Sequence, residues 1–153
     1  ISPGPSGKSH TGAEQMAMKT LLHTTFFRVE HDAVRQLVIT RRTTQGLGAK
    51  NAAEARARDA AIHELLNVLR TVRGQRFLLD VRAAPGNNDP AVEVVVQKLR
   101  VQMRELFPVS VTLVASATGA LQVNRLARER NDSLMLFRDE QEAIAALMDR
   151  PLS

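Results

Sequence analysis

Apolar positions recur along the chain with two periods, near two and near 3.6, and the switches between them predict the elements. Residues 1–19 show neither period, and Gly, Pro, Ser, Lys and His dominate their start. They read as a disordered tail, or as residues added ahead of a natural start at Met16 or Met18, with a single domain over residues 20–153. Thr24 to Glu30 (T-T-F-F-R-V-E) is rich in aromatic and β-branched residues and predicts a strand. His31-Asp32-Ala33 breaks it, and Val34 to Thr40 (V-R-Q-L-V-I-T) predicts a second strand paired with the first as a hairpin. A loop with Gly46 and Gly48 follows.

The period then becomes helical from about Ala52 to Val72, with Ile62, Leu65, Leu66, Leu69 and Val72 as the inward stripe. Asn51 with Glu54 makes a capping box of the Asx kind, and Gly74 stops the helix. Arg76 to Val81 is an apolar run of strand length, the form expected of a strand covered on both faces. A second helix starts at Asp89, a natural cap before Pro90, and ends at Pro108. Its stripe is Val92, Val95, Val96, Leu99, Met103 and Leu106. Val109 to Ala115 predicts a strand, Gly119 to Arg130 a helix capped by Ser116 or Thr118, and Ser133 to Phe137 the last strand. Asp139 with Glu142 caps a final helix that continues through Ala143 to Met148. The order is β-β-α-β-α-β-α-β-α, an α/β fold with a mixed, mostly parallel sheet whose leading hairpin supplies one antiparallel edge strand.

Composition narrows the chemistry. The chain of 153 residues has no Cys, which removes disulfides, thiolate metal sites and cysteine nucleophiles together. It has no Trp or Tyr and only five Phe, so an aromatic base-stacking surface is not expected. No apolar run approaches the roughly 18 residues of a membrane span, and the first residues lack the apolar core of a secretory signal, so a cytoplasmic location is expected. The net charge is +5, with Arg at 17 positions and Lys at 4. These cations are scattered among acids rather than blocked, which argues for a solvated basic surface over a nucleic-acid footprint.

Specific chemistry is sparse. His10, His23, His31 and His63 form no metal-ligand spacing, no Ser sits in a G-x-S-x-G turn, and neither a metal, a cofactor nor an enzymatic activity is expected. Gly46 to Lys50 (G-L-G-A-K) follows a strand and precedes a helix but lacks the remaining residues of a phosphate loop, so it reads as a flexible connection. Asp80, after two apolar strand residues, is a candidate buried carboxylate held by structural contacts. Ligands of open α/β sheets bind at the carboxyl ends of the strands. A small anion or lipid head group would there meet Arg58, Arg82, Thr118 and Gly119. On the second helix Val94 and Val101 lie seven residues apart, opposite the inward stripe, beside Gln97, Lys98 and Glu105. They are candidates for a protein interface or a homodimer contact.

Two segments carry a resemblance to a known family. They are F-L-L-D-V-R-A-A-P-G-N-N-D-P-A-V-E at residues 77–93 and L-M-L-F-R-D-E-Q-E-A-I-A-A-L-M at residues 134–148. With the element order, residues 21–150 resemble the STAS fold, the anti-sigma-factor antagonist type of domain. In the antagonists a strand ending like Leu79-Asp80-Val81 leads to a loop and a phosphorylatable Ser at a helix start; an ungapped match puts Asn88 on the acidic residue and Asp89 on that Ser. Asp89 carries a fixed single charge where a phosphate would add about −1.5 to −2. The resemblance therefore implies a non-enzymatic interaction domain in bacterial signalling without that switch. Its partner would meet Arg82, Gly86, Asn87, Asn88, Asp89, Val94 and Val101.

Overall fold

The computed structural model describes residues 18–86, 89–116 and 135–152. Its strands are β1 (Met18–His23), β2 (Phe27–Asp32), β3 (Leu37–Arg42), β4 (Arg76–Asp80), β5 (Ser110–Leu113) and β6 (Leu136–Phe137). The helices are α1 (Ala52–Arg70), α2 (Pro90–Leu106) and α3 (Glu140–Met148). The six strands form one sheet in sequence order. β1, β2 and β3 pair antiparallel, and β3 through β6 pair parallel. The α/β class and the mixed sheet are as the pattern predicts.

The antiparallel edge differs from expectation. It has two strands outside β3 rather than one, because β1 starts at Met18, inside the expected tail. Its M-K-T-L-L-H has adjacent leucines rather than alternation, and the pairing register slips between Thr20 and Leu22, which hides the strand from a period-two reading. The hairpin turn also lies later than expected. The Thr24 hydroxyl accepts from the Phe26 and Phe27 amides and delays β2. The Asp32 carboxylate accepts from the Val34 and Arg35 amides, and Gln36 takes a positive φ of 50°, so the break spans 33–36. The expected helix at 119–130 and the start of the last expected strand lie outside the described residues.

The sheet has a core on each face. Phe27, Val29, Val38 and Phe77 pack with Leu65, Leu66 and Leu69 of α1 and Val92, Leu99 and Met103 of α2. On the other face Leu37, Ile39, Leu78, Val111 and Leu113 pack against Ala143 and Leu147 of α3. Phe107, just past α2, is fully buried and stacks on Phe77 with ring centroids 4.4 Å apart. The G-L-G-A-K connection is a packed element rather than a flexible one. Leu47 is buried in the first core, a Cβ on Gly46 would come within 3.3 Å of Pro85, and a Cβ on Gly48 would touch Val92. Small residues on either side let Leu47 reach inward between the two loops and α2.

Candidate functional site

The carboxyl ends of β3 and β4 carry a charged cluster on the α3 face. Side-chain alternation sends Arg41 and Asp80 to that face, and the parallel register sets them opposite each other. Arg41 donates from Nε to Glu30 of β2 at 2.7 Å and from Nη1 to Asp80 at 2.7 Å. Both of its terminal nitrogens reach Glu140, the first residue of α3, at 2.7 and 3.2 Å. Arg82 closes the cluster. Its Nε and Nη2 each donate to Asp80 at 3.0 Å, and Nη2 also reaches Glu140 at 3.0 Å. Three carboxylates thus share two guanidiniums and join β2, β3, β4 and α3.

The electrostatics follow from that sharing. Burial, the largest single influence, pushes the Asp80 carboxyl up, but hydrogen bonds from Arg82 and Arg41 outweigh it and hold the group below the ordinary carboxylate range. The Arg41 hydrogen bond lowers Glu140. Asp32, in the hairpin turn, is also lowered: burial opposes, and its bonds from Arg35 and Val34 prevail. Groups whose folded values lie below the unfolded ones stabilise the fold above the unfolded value of about 4 and lose that contribution as pH falls through the folded value. Tm is therefore expected to be level from about pH 8 to pH 5 and to fall steeply below about pH 4. Calorimetry across that range checks it, and an unchanged Tm at pH 3 would contradict it.

The expected site residues separate. Arg82 is committed to Asp80 and Glu140, and Arg58 donates to the Leu47 carbonyl at 3.1 Å and to Asp59 at 3.1 Å. Arg58 thus ties down the loop over the α1–α2 face, while Arg82 serves the α3 face, so the structure does not bring these two together. Thr118, Gly119, Asn87 and Asn88 lie outside the described residues. Gly86 borders open space, and Asp89 caps α2, accepting from the Ala91 amide at 3.0 Å. Asp80 is the buried carboxylate held by structural contacts that the sequence predicts, and its partners are Arg41 and Arg82. Glu30, Arg41 and Glu140 are the cluster members that sequence reasoning missed.

The outer face of α2 is a different kind of surface. Val94 and Val101 are 50% and 42% exposed. With Gln97, Lys98 and Gln102 they line a shallow groove of about 380 Å³.

No known family's sequence profile matches the chain, and no curated protein matches it. A solved structure does resemble it, described as "The Structure of an Anti-sigma-factor antagonist (STAS) domain protein from Planctomyces limnophilus". The likeness is one of fold. It has a TM-score of 0.49 at 16% identity, covering 79% of this chain and 97% of that one. Among the described residues no helix is long and apolar enough to cross a membrane, and no group of three or more His, Asp or Glu is placed to hold a metal.

Proposed function

We propose that this chain is a non-enzymatic regulatory domain that acts by binding another protein through the outer face of α2. The observation that carries this reading is the pair of exposed valines at positions 94 and 101, on one side of one helix and in one groove. Valine is a poorer helix former than Ala, Lys or Glu because its branched Cβ loses rotamers against the preceding turn. Left in water, these side chains add nothing to the core that Val92, Leu99 and Met103 already form. Buried against a partner, each would contribute on the order of 1 kcal/mol, since about half of its surface is still exposed.

Lys98 stands between the two valines, so the matching surface is an aliphatic stripe flanked by a carboxylate. Asp89 sets a negative charge at the head of the same helix, and its hydrogen bond to Ala91 makes it the cap. The strand-end cluster is a poor competitor for this role. Asp80 is occupied by two guanidiniums, so it is not free to act as a general base, and Arg82 directs Nε and Nη2 to Asp80 and Glu140.

Val94→Glu and Val101→Glu are expected to fold normally and to weaken the complex about tenfold or more each, the loss typical of a central interface residue. Affinity of the purified variants for proteins captured from the native host by the unaltered chain measures this. Asp89→Asn keeps the cap and removes the charge, because Asn caps as well as Asp. Loss of affinity in that variant would show that recognition extends to the helix start. If both valine variants are folded and bind every captured protein with unchanged affinity, the reading is wrong.

A further inference from the structure

Among the described residues, the large apolar side chains left exposed fall in two places. Val94 and Val101 lie on α2, whereas Val34, Met135 and Met148 lie at the end of the sheet where β3 and β4 begin. Val34 is 88% exposed in the β2–β3 turn. Turns favour Gly, Asn, Asp, Ser or Pro, and a β-branched side chain in water adds nothing to this one. The turn itself is firmly built. The Asp32 carboxylate accepts from the Val34 and Arg35 amides and pairs with the Arg35 side chain at 2.6 Å. Val34 is thus held outward on a fixed loop.

Arg76, the first residue of β4, ties the patch together. It donates from Nη1 to the Arg35 carbonyl at 2.8 Å, from Nε to the Leu147 carbonyl at 3.1 Å and from Nη2 to the Arg150 carbonyl at 3.3 Å. The turn that carries Val34 and the end of α3 that carries Met148 are therefore neighbours. Arg150 reaches from there to the Met135 sulfur at 3.5 Å. Positive charge gathers at the same end. The register sets Met18, Asp32, Leu37 and Arg76 in one row across the sheet, and the Gly74 amide donates to the Leu106 carbonyl, so β1 starts and α1 and α2 finish there. Lys19, Arg35, Arg70, Arg73, Arg76 and Arg150 lie at this end, against the exposed Glu105 and Asp149 and the paired Asp32. Lys19 and Arg73 are exposed and make no ion pair among the described residues.

We infer that this end of the domain docks on an anionic lipid bilayer, with Val34 and the two methionines entering the headgroup region and the surrounding cations meeting the acidic lipids. Apolar side chains that project from a basic surface match such a bilayer twice, by burial at the headgroup–acyl boundary and by attraction to its negative surface potential. Met and Arg side chains are long and adaptable, which suits a fluid surface. A nucleic acid would use the cations but not the apolar projections, and the chain has no Trp or Tyr to stack on bases. The patch uses neither Val94 nor Val101, and the inference does not rest on the proposed protein partner.

The test is co-sedimentation of the full chain with vesicles of phosphatidylcholine, alone or with about 30% phosphatidylserine, at about 0.1 M salt. Binding is expected to the mixed vesicles and not to the neutral ones. Arg73→Glu is expected to weaken it about fivefold or more, since a charge is reversed at the surface. Val34→Ser changes no charge and suits a turn, and it is expected to weaken binding about threefold or more by removing the inserted side chain. Arg56→Glu makes the same charge change on an exposed residue in the first turn of α1, at the far end of the domain, and is expected to leave binding within about twofold. The inference is overturned if the mixed vesicles do not bind, if neutral vesicles bind equally, if Val34→Ser binds unchanged, or if Arg56→Glu weakens binding as much as Arg73→Glu. A mixed-sequence DNA duplex that binds more tightly than the mixed vesicles at the same salt would assign the surface to nucleic acid and overturn it as well.

Discussion

Arg41→Met is expected to destabilise the fold by about 2–3 kcal/mol, a fall in Tm of roughly 6–12 °C. Arg41 is the only described residue that touches Glu30, Asp80 and Glu140 together. Removing it leaves Asp80 and Glu140 with Arg82 alone and Glu30 with only the longer contact to Arg28 at 3.8 Å, and the buried Asp80 keeps half of its ion-pair partners. A fully buried pair broken in this way costs about 3–5 kcal/mol, and the partial exposure of Arg41 and Glu140 reduces that figure. The loss should fall first on the docking of α3, whose first residue is Glu140. Protonating the acids relieves their repulsion, so the difference between Arg41→Met and the unaltered chain should shrink as pH falls toward 3. Calorimetry of both proteins at pH 7 and pH 3 measures this. An equal difference at the two pH values would mean that the cluster holds the fold by packing rather than by charge.

Phe107→Ala is expected to cost about 3–5 kcal/mol, the largest single effect foreseen for this chain. Its ring is fully buried and lies stacked on Phe77, at the point where α2 ends and the chain turns into β5. Alanine there opens a cavity between the end of α2 and the sheet, and close-packed neighbours collapse into such a space only in part. Phe107→Leu, which refills much of the volume, should recover more than half of the loss. Denaturant titration of the two variants with unchanged m-values checks this, and a loss below about 1 kcal/mol for alanine would show that the ring is not part of the core.

What could be read along the chain were the features set by neighbouring residues. Asn51 with Glu54, Asp89 with Pro90, and Asp139 with Glu142 mark helix starts, and the side-chain caps appear at all three. The inward stripes of α1 and α2 also appear, because amphipathic spacing is local. The charged cluster was not legible, since Arg41 meets Asp80 39 positions away and Glu140 99 positions away. Such pairs exist only once strand register and helix position are fixed. A parity signal was available in retrospect. Adjacent strand residues face opposite sides, so Arg41 and Arg42 could not share an environment once the strand was known to extend through both. The expected strand stopped at Thr40, and that boundary kept both arginines in a loop.

The proposed recognition surface is the outer face of α2 rather than the strand ends. Site-directed photocrosslinking distinguishes the two surfaces, with a photoreactive residue placed in turn at positions 94, 101 and, for comparison, 19 and 82. A covalent adduct with the same partner is expected from positions 94 and 101, and none from position 19 in β1. Adducts from positions 19 or 82 with none from 94 and 101 would contradict it.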